Sequence, residues 1–163
     1  MDLELLRNVS ILRDLNESEL TAVAAIFTKR TVRPKERILE EGKGVGHFYI
    51  VCDGVAHVRR LAQKRQMLLG RITRGMFFGE INLFDPGVST ASIDAVNIVQ
   101  LALCDYETLR TFLAANPVTG YKIASAMMTE MSRRLRSTSA RLANSVYWAV
   151  DEKLQIPGAP QSK

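Results

Sequence analysis

The chain has 163 residues, is 47% hydrophobic and carries a formal net charge of +5. That length suffices for one ordinary domain with a real core and leaves no room for a second sizeable one. The first ten residues, MDLELLRNVS, hold two acids and no long apolar run, so neither a secretory signal nor a membrane helix is expected, and a cytoplasmic location without membrane contact follows.

The positive charge admits a nucleic-acid partner but does not establish one. It concentrates at Arg59, Arg60, Lys64, Arg65, Arg71 and Arg74, and again at Arg133, Arg134, Arg136 and Arg141. Such runs read as a solvated hairpin and the outer face of a helix. Cys52 and Cys104 lie far apart within apolar stretches, which predicts buried thiols rather than a disulfide or a ligand pair.

In chain order, residues 2–8 suit a short helix, and Ile11 and Leu12 should pack against the next element. Asn16 followed by Glu19 approximates a capping box, and Leu20, Val23, Ala24 and Phe27 recur at helical spacing, predicting a helix over 17–29. From Pro34 to Cys104 short apolar runs alternate with glycine: 37–39, 48–52, 55–58, 67–72, 93–97 and 99–103. That texture predicts strands of an antiparallel roll. After Asp105 the pattern turns helical, with one helix over 106–113 and a long one opening at Asn116-Pro117 and running to about residue 150. Ala124, Met128, Met131, Leu135, Thr138, Leu142, Val146 and Ala149 step along it by fours and threes, a heptad-like seam that wants a partner. A homodimer through helix 117–150 is the expectation, and packing along the chain's own roll is the alternative. The tail 153–163, with Pro157, Gly158 and Pro160, is expected to fray, leaving one domain over 1–152.

The whole is α+β: an antiparallel β-roll, or jelly roll, flanked by N-terminal helices and a long C-terminal helix. Metal-dependent catalysis on such a roll needs two or more histidines beside carboxylates, and only His47 and His57 exist. A Gly-x-Ser-x-Gly elbow, a P-loop and paired cysteines are all missing, so no enzymatic activity, metal or cofactor is expected.

The string Phe48-Tyr49-Ile50-Val51-Cys52-Asp53-Gly54-Val55, preceded by Glu41-Gly42 and Gly46, resembles the first half of the cyclic-nucleotide-binding domain family. Gly75-Met76-Phe77-Phe78-Gly79-Glu80-Ile81-Asn82-Leu83-Phe84 is similar to that family's phosphate-binding cassette, and Thr90-Ala91-Ser92-Ile93 to its closing strand. The resemblance spans residues 10–150 and matches the order of elements read above. It implies a helix-and-turn cassette whose backbone N–H groups face a cyclic phosphate. Gly79 would let the backbone approach the ligand, Glu80 would accept from the ribose 2′-hydroxyl, and Ile81 and Leu83 would line the pocket.

The family pattern also places an arginine just before the small-Ala-Ser/Thr-apolar run, as a two-pronged phosphate clamp. Here Ser89 holds that position, with Thr90 and Ala91 following, and no arginine or lysine lies between Glu80 and Gln100. Losing one partner of a buried charged contact costs about 2–5 kcal/mol, roughly 30- to several-thousand-fold in affinity. Ser89 and Thr90 could still meet a phosphate through hydroxyl and backbone N–H, or serve as ordinary turn residues.

The expected role is therefore a stand-alone regulatory module with a degenerate cassette, sensing a cyclic nucleotide or related small molecule and signalling through its C-terminal helix. The alternative is a ligand-free dimerising or partner-docking protein. Relatives that carry a helix-turn-helix after this domain suggest gene regulation, but the residues after 150 are too few for a DNA-reading head, so no direct DNA binding is expected.

Overall fold

A computed structural model describes residues 3–63 and 65–154, the side chains of residues 146 and 148–154 excepted. Residues 155–163 of the tail expected to fray, the seam side chains of Val146 and Ala149, and Lys64 of the first basic run lie outside the described residues, whereas residues 153 and 154 belong to the last helix. The chain divides between Ala126 and Met127 into two compact units.

In the first unit, α1 (Leu3–Arg7) and a single 3-10 turn (Ser10–Leu12) bury Leu5, Leu6, Ile11 and Leu12. Helix α2 (Glu17–Ala25) opens on a complete capping box: the Asn16 side chain accepts from Glu19 N at 2.9 Å, and Asn16 N donates to the Glu19 carboxylate at 2.8 Å. Two orphan donors are thereby satisfied. The helix ends four residues short of the predicted 29, and Thr28–Val32 forms strand β1 instead. Two threonines and a valine favour extended backbone. The deciding partner is remote in sequence, because β1 pairs antiparallel with residues 99–103, from Thr28↔Leu103 to Val32↔Val99.

The remaining strands are β2 (Arg37–Leu39), β3 (His47–Asp53), β4 (Val55–Ala62), β5 (Arg65–Thr73), β6 (Phe77–Phe78), β7 (Ser92–Ala95) and β8 (Val99–Asp105). They form two antiparallel four-stranded sheets, ordered β1-β8-β3-β6 and β2-β7-β4-β5. The expected roll is present. Between the sheets, Val32, Tyr49, Val51, Phe78, Val99 and Leu101 meet Ile38, Ala56, Ile72, Ile93 and Ala95 in one buried cluster. Strand β3 is buried on both faces: Phe48 meets Phe27 edge-on at 6.3 Å and Phe77 at 5.5 Å. Burying such a ring is worth about 1.5–3 kcal/mol. The β4–β5 hairpin is longer than predicted, and Leu61, Met67, Leu68 and Leu69 on it are exposed.

Helix α3 (Glu80–Phe84) follows β6, α4 (Tyr106–Ala115) follows β8, and α5 spans Pro117–Leu154. Asp105 caps α4 by accepting from Thr108 N at 2.9 Å. Gly120 lets α5 start close against α4, since a Cβ there would sit 2.7 Å from Leu113 O. The second unit continues the helix. Glu130 pairs with Arg134 at 3.2 Å and Arg133 at 3.8 Å along its surface. Cys104 is buried and Cys52 half-buried, and they share no disulfide. Burial pushes the Cys104 thiol up to about 11, so it stays protonated and inert.

Candidate functional site

The cassette is built from β3 outward. Strand β6 pairs with β3 through Tyr49↔Phe78 and Ile50↔Phe77, and the Tyr49 and Phe78 rings stack at 4.7 Å with 7° between planes. This stack fixes where the chain leaves the sheet. Gly79 then turns left-handed (φ +83°) to cap α3, and a Cβ in its place would come within 2.6 Å of His47 O. Only glycine meets both demands without strain.

Of the residues singled out in the sequence, Glu80, Leu83, Ser89 and Ala91 are buried, whereas Ile81 is 46% exposed and Thr90 is exposed. Glu80 and Leu83 thus face inward from α3 while Ile81 and Phe84 face solvent.

Ser89 is held on three sides. Its backbone N–H donates to Lys43 O at 2.8 Å, its carbonyl accepts from Gly42 N at 2.9 Å, and its hydroxyl donates to Ala91 O at 2.7 Å. The turn that bears the family's clamp position is therefore closed on its own backbone and on the 40–44 loop. Nearby, Glu41 N donates to Ser92 Oγ at 3.0 Å and extends the same staple.

Two residues of α4 that sequence reasoning missed complete the site. Tyr106 donates its hydroxyl to Gly79 O at 2.6 Å, anchoring the left-handed turn. Burial, with the charge of Glu80 adding to it and Arg110 opposing, pushes this phenol up to about 12, so it remains a donor across any ordinary pH. Arg110 reaches from the next turn, its Nε donating to Leu83 O at 3.1 Å and its Nη2 to Leu83 O and Asn82 O. A cation on the last carbonyls of a short helix satisfies orphan acceptors and complements the helix dipole. No local pattern announces either role. Tyr106 and Arg110 stand four apart at the start of an ordinary amphipathic helix, and only the tertiary placement of α4 beside the cassette gives them work.

The arrangement offers a buried carboxylate, a glycine-capped helix start and a locked turn, with no cation at the clamp position. Elsewhere in the first unit, clefts of about 380 Å³ and 310 Å³ open beside Arg37, His57 and Asp94 and beside Lys29, Cys52 and Arg74 respectively. Among the described residues no group of three His, Cys, Asp or Glu side chains is placed to hold a metal ion. No helix among them is long and apolar enough to cross a membrane.

Residues 29–116 match the family model described as "Cyclic nucleotide-binding domain". The chain belongs to the cyclic nucleotide-binding domain family. It is 26% identical over 145 residues to a CRP-like cAMP-activated global transcriptional regulator of Mycobacterium tuberculosis, a match covering 88% of this chain and 63% of that protein. The chain thus spans less than two thirds of this curated relative. Among solved structures it is similar to a cyclic nucleotide-binding domain from Methylobacillus flagellatus, with TM-score 0.79, 19% identity, and coverage of 88% of this chain and 81% of the other. It is also similar to the regulatory subunit of a cAMP-independent protein kinase A from Trypanosoma brucei in a triple variant bound to cAMP (TM-score 0.69, 16% identity, 78% and 45% covered). As a member of this family the chain is related to CRP-like regulators.

Proposed function

We propose that this cyclic nucleotide-binding domain is a regulatory module that takes a cyclic-nucleotide-like ligand weakly at its 79–91 cassette. Occupancy passes through α4 to α5, and a second copy docks along that helix. The observation that carries the weak-binding part is the Ser89 hydroxyl bonded to Ala91 O where the family places a guanidinium. Continuity from site to helix supports the relay: Tyr106 and Arg110 grip both ends of α3, and α4 leads through Asn116 into α5. A cytoplasmic setting and a homodimer belong to the same reading. The second reading, a ligand-free dimerising or partner-docking protein, is favoured by the same closed turn.

Titration calorimetry with cyclic AMP, cyclic GMP and cyclic di-GMP separates them. Ser89→Arg sacrifices one hydrogen bond, about 1 kcal/mol, for a charge-assisted clamp worth about 2–5 kcal/mol, so it should tighten cyclic AMP binding by at least about tenfold. Silence of both the wild type and Ser89→Arg toward all three nucleotides would favour the second reading.

A further inference from the structure

On the side of the second sheet turned away from the core, charged residues line up across three strands. Arg37 of β2 stands opposite Asp94 of β7, and Asp94 stands opposite His57 of β4. The intervening residues Ala56, Ile93 and Ala95 point into the core cluster, so this row belongs to the outer face. Lys35, held left-handed at φ +67° with its backbone N–H on Ala95 O at 2.8 Å, and Arg59 flank the row. Together they border the cleft of about 380 Å³, which lies within the size range of small-ligand clefts, about 300–1,000 Å³.

The single acid in this lining is already committed. Asp94 receives Arg37 Nε at 2.8 Å and Nη2 at 3.4 Å, and its second oxygen lies 4.0 Å from Arg59 Nε. Within the lining, three cations against one carboxylate leave two positive charges in excess, while Glu40, outside it, acts on Arg37 from a distance. Arg59 is incompletely satisfied: Nη2 approaches His57 Nδ1 at 3.3 Å, while Nε is shielded from water and has no hydrogen-bond acceptor among the described residues. A charged donor shut away without an acceptor is costly, and a small turn of this 42% exposed side chain would present its fork to an oxyanion in the cleft.

We propose that this cleft is a second ligand site, separate from the cassette, that takes a phosphate group. The match is one of charge and geometry: a phosphate dianion balances the two excess positives, and its oxygens suit the donors of Arg59 and Lys35 with the His57 ring beside them. The phosphate is either inorganic or borne on a phosphorylated side chain of a partner.

The test is an NMR titration of the ¹⁵N-labelled full chain with inorganic phosphate, and separately with a phosphoserine peptide, each against sodium chloride at equal ionic strength. Saturable shifts of the Lys35, His57, Ala95 and Val96 amides are expected with at least one of the two probes, and the tighter probe identifies the source. Arg59→Gln and Lys35→Gln should each weaken binding by roughly tenfold or more. Asp94→Asn should tighten it, an increase that loss of structure would not produce. Ser89→Arg should leave it unchanged, which keeps the outcome independent of the cassette. Shifts reproduced by chloride, absence of saturation with both probes, or equal affinity in the wild type, Arg59→Gln and Lys35→Gln would overturn the proposal.

Discussion

Gly79 and Ser89 carry opposite messages within one cassette. Gly79 pairs a positive φ with a closest approach of 2.6 Å to His47 O, so a side chain there meets both strain and backbone. Gly79→Ala should destabilise the protein by about 2 kcal/mol or more, read as a lowered urea midpoint at unchanged slope. The need for glycine was legible from its place in the Phe-Gly-Glu string. Ser89 was legible only as a missing cation. That its hydroxyl turns back to Ala91 O depends on how the 40–44 loop grips the turn, a contact across more than forty residues of sequence.

At the scale of elements, Glu19 ties α2 to the start of α5. Its carboxylate accepts from Lys122 Nζ at 2.8 and 2.9 Å, from Asn16 N at 2.8 Å and from Thr119 Oγ1 at 3.2 Å. The Lys122 ammonium, followed by the Asn16 backbone N–H, holds this carboxyl below its ordinary value of 4.5. A depressed carboxyl favours the folded state above its unfolded pKa, and that contribution disappears as pH falls through the lower folded value. The stability difference between wild type and Glu19→Gln should accordingly be constant near neutrality and shrink below about pH 4, measured by urea unfolding across pH. The capping half of this interaction was visible in the spacing of Asn16 and Glu19. The bond to Lys122, 103 residues away, was not. The end of α2 was misjudged for a related reason: Phe27 continues the helical spacing, yet the chain from Thr28 onward gains a full ladder with β8 by turning extended.

At the scale of the whole molecule, α5 carries a row of exposed apolar side chains. Tyr121, Met128, Leu135 and Leu142 recur every seven residues and are 63–74% exposed, the spacing of one coiled-coil position. If a second copy docks there, as proposed, introducing charge should dissociate it. Leu135→Glu with Leu142→Glu should raise the dimer dissociation constant at least about 100-fold in sedimentation equilibrium, since each buried leucine contributes about 1.5–3 kcal/mol. A mass unchanged by these replacements, or a monomeric wild type at high concentration, would remove the seam from the mechanism.

Periodicity, glycine punctuation and the Phe-Gly-Glu cassette by themselves determined the helix-roll-helix order, the family and the lack of a cation at the clamp position, because these are local patterns with a fixed physical meaning. Tertiary structure alone decided that Thr28–Val32 is a strand, that Tyr106 and Arg110 of α4 brace the cassette, that Ser89 is closed on its own turn, and that Arg37, Asp94 and His57 share one outer face. Each depends on which distant segment supplies the partner, and backbone ladders and buried donors make that choice only when the chain has folded.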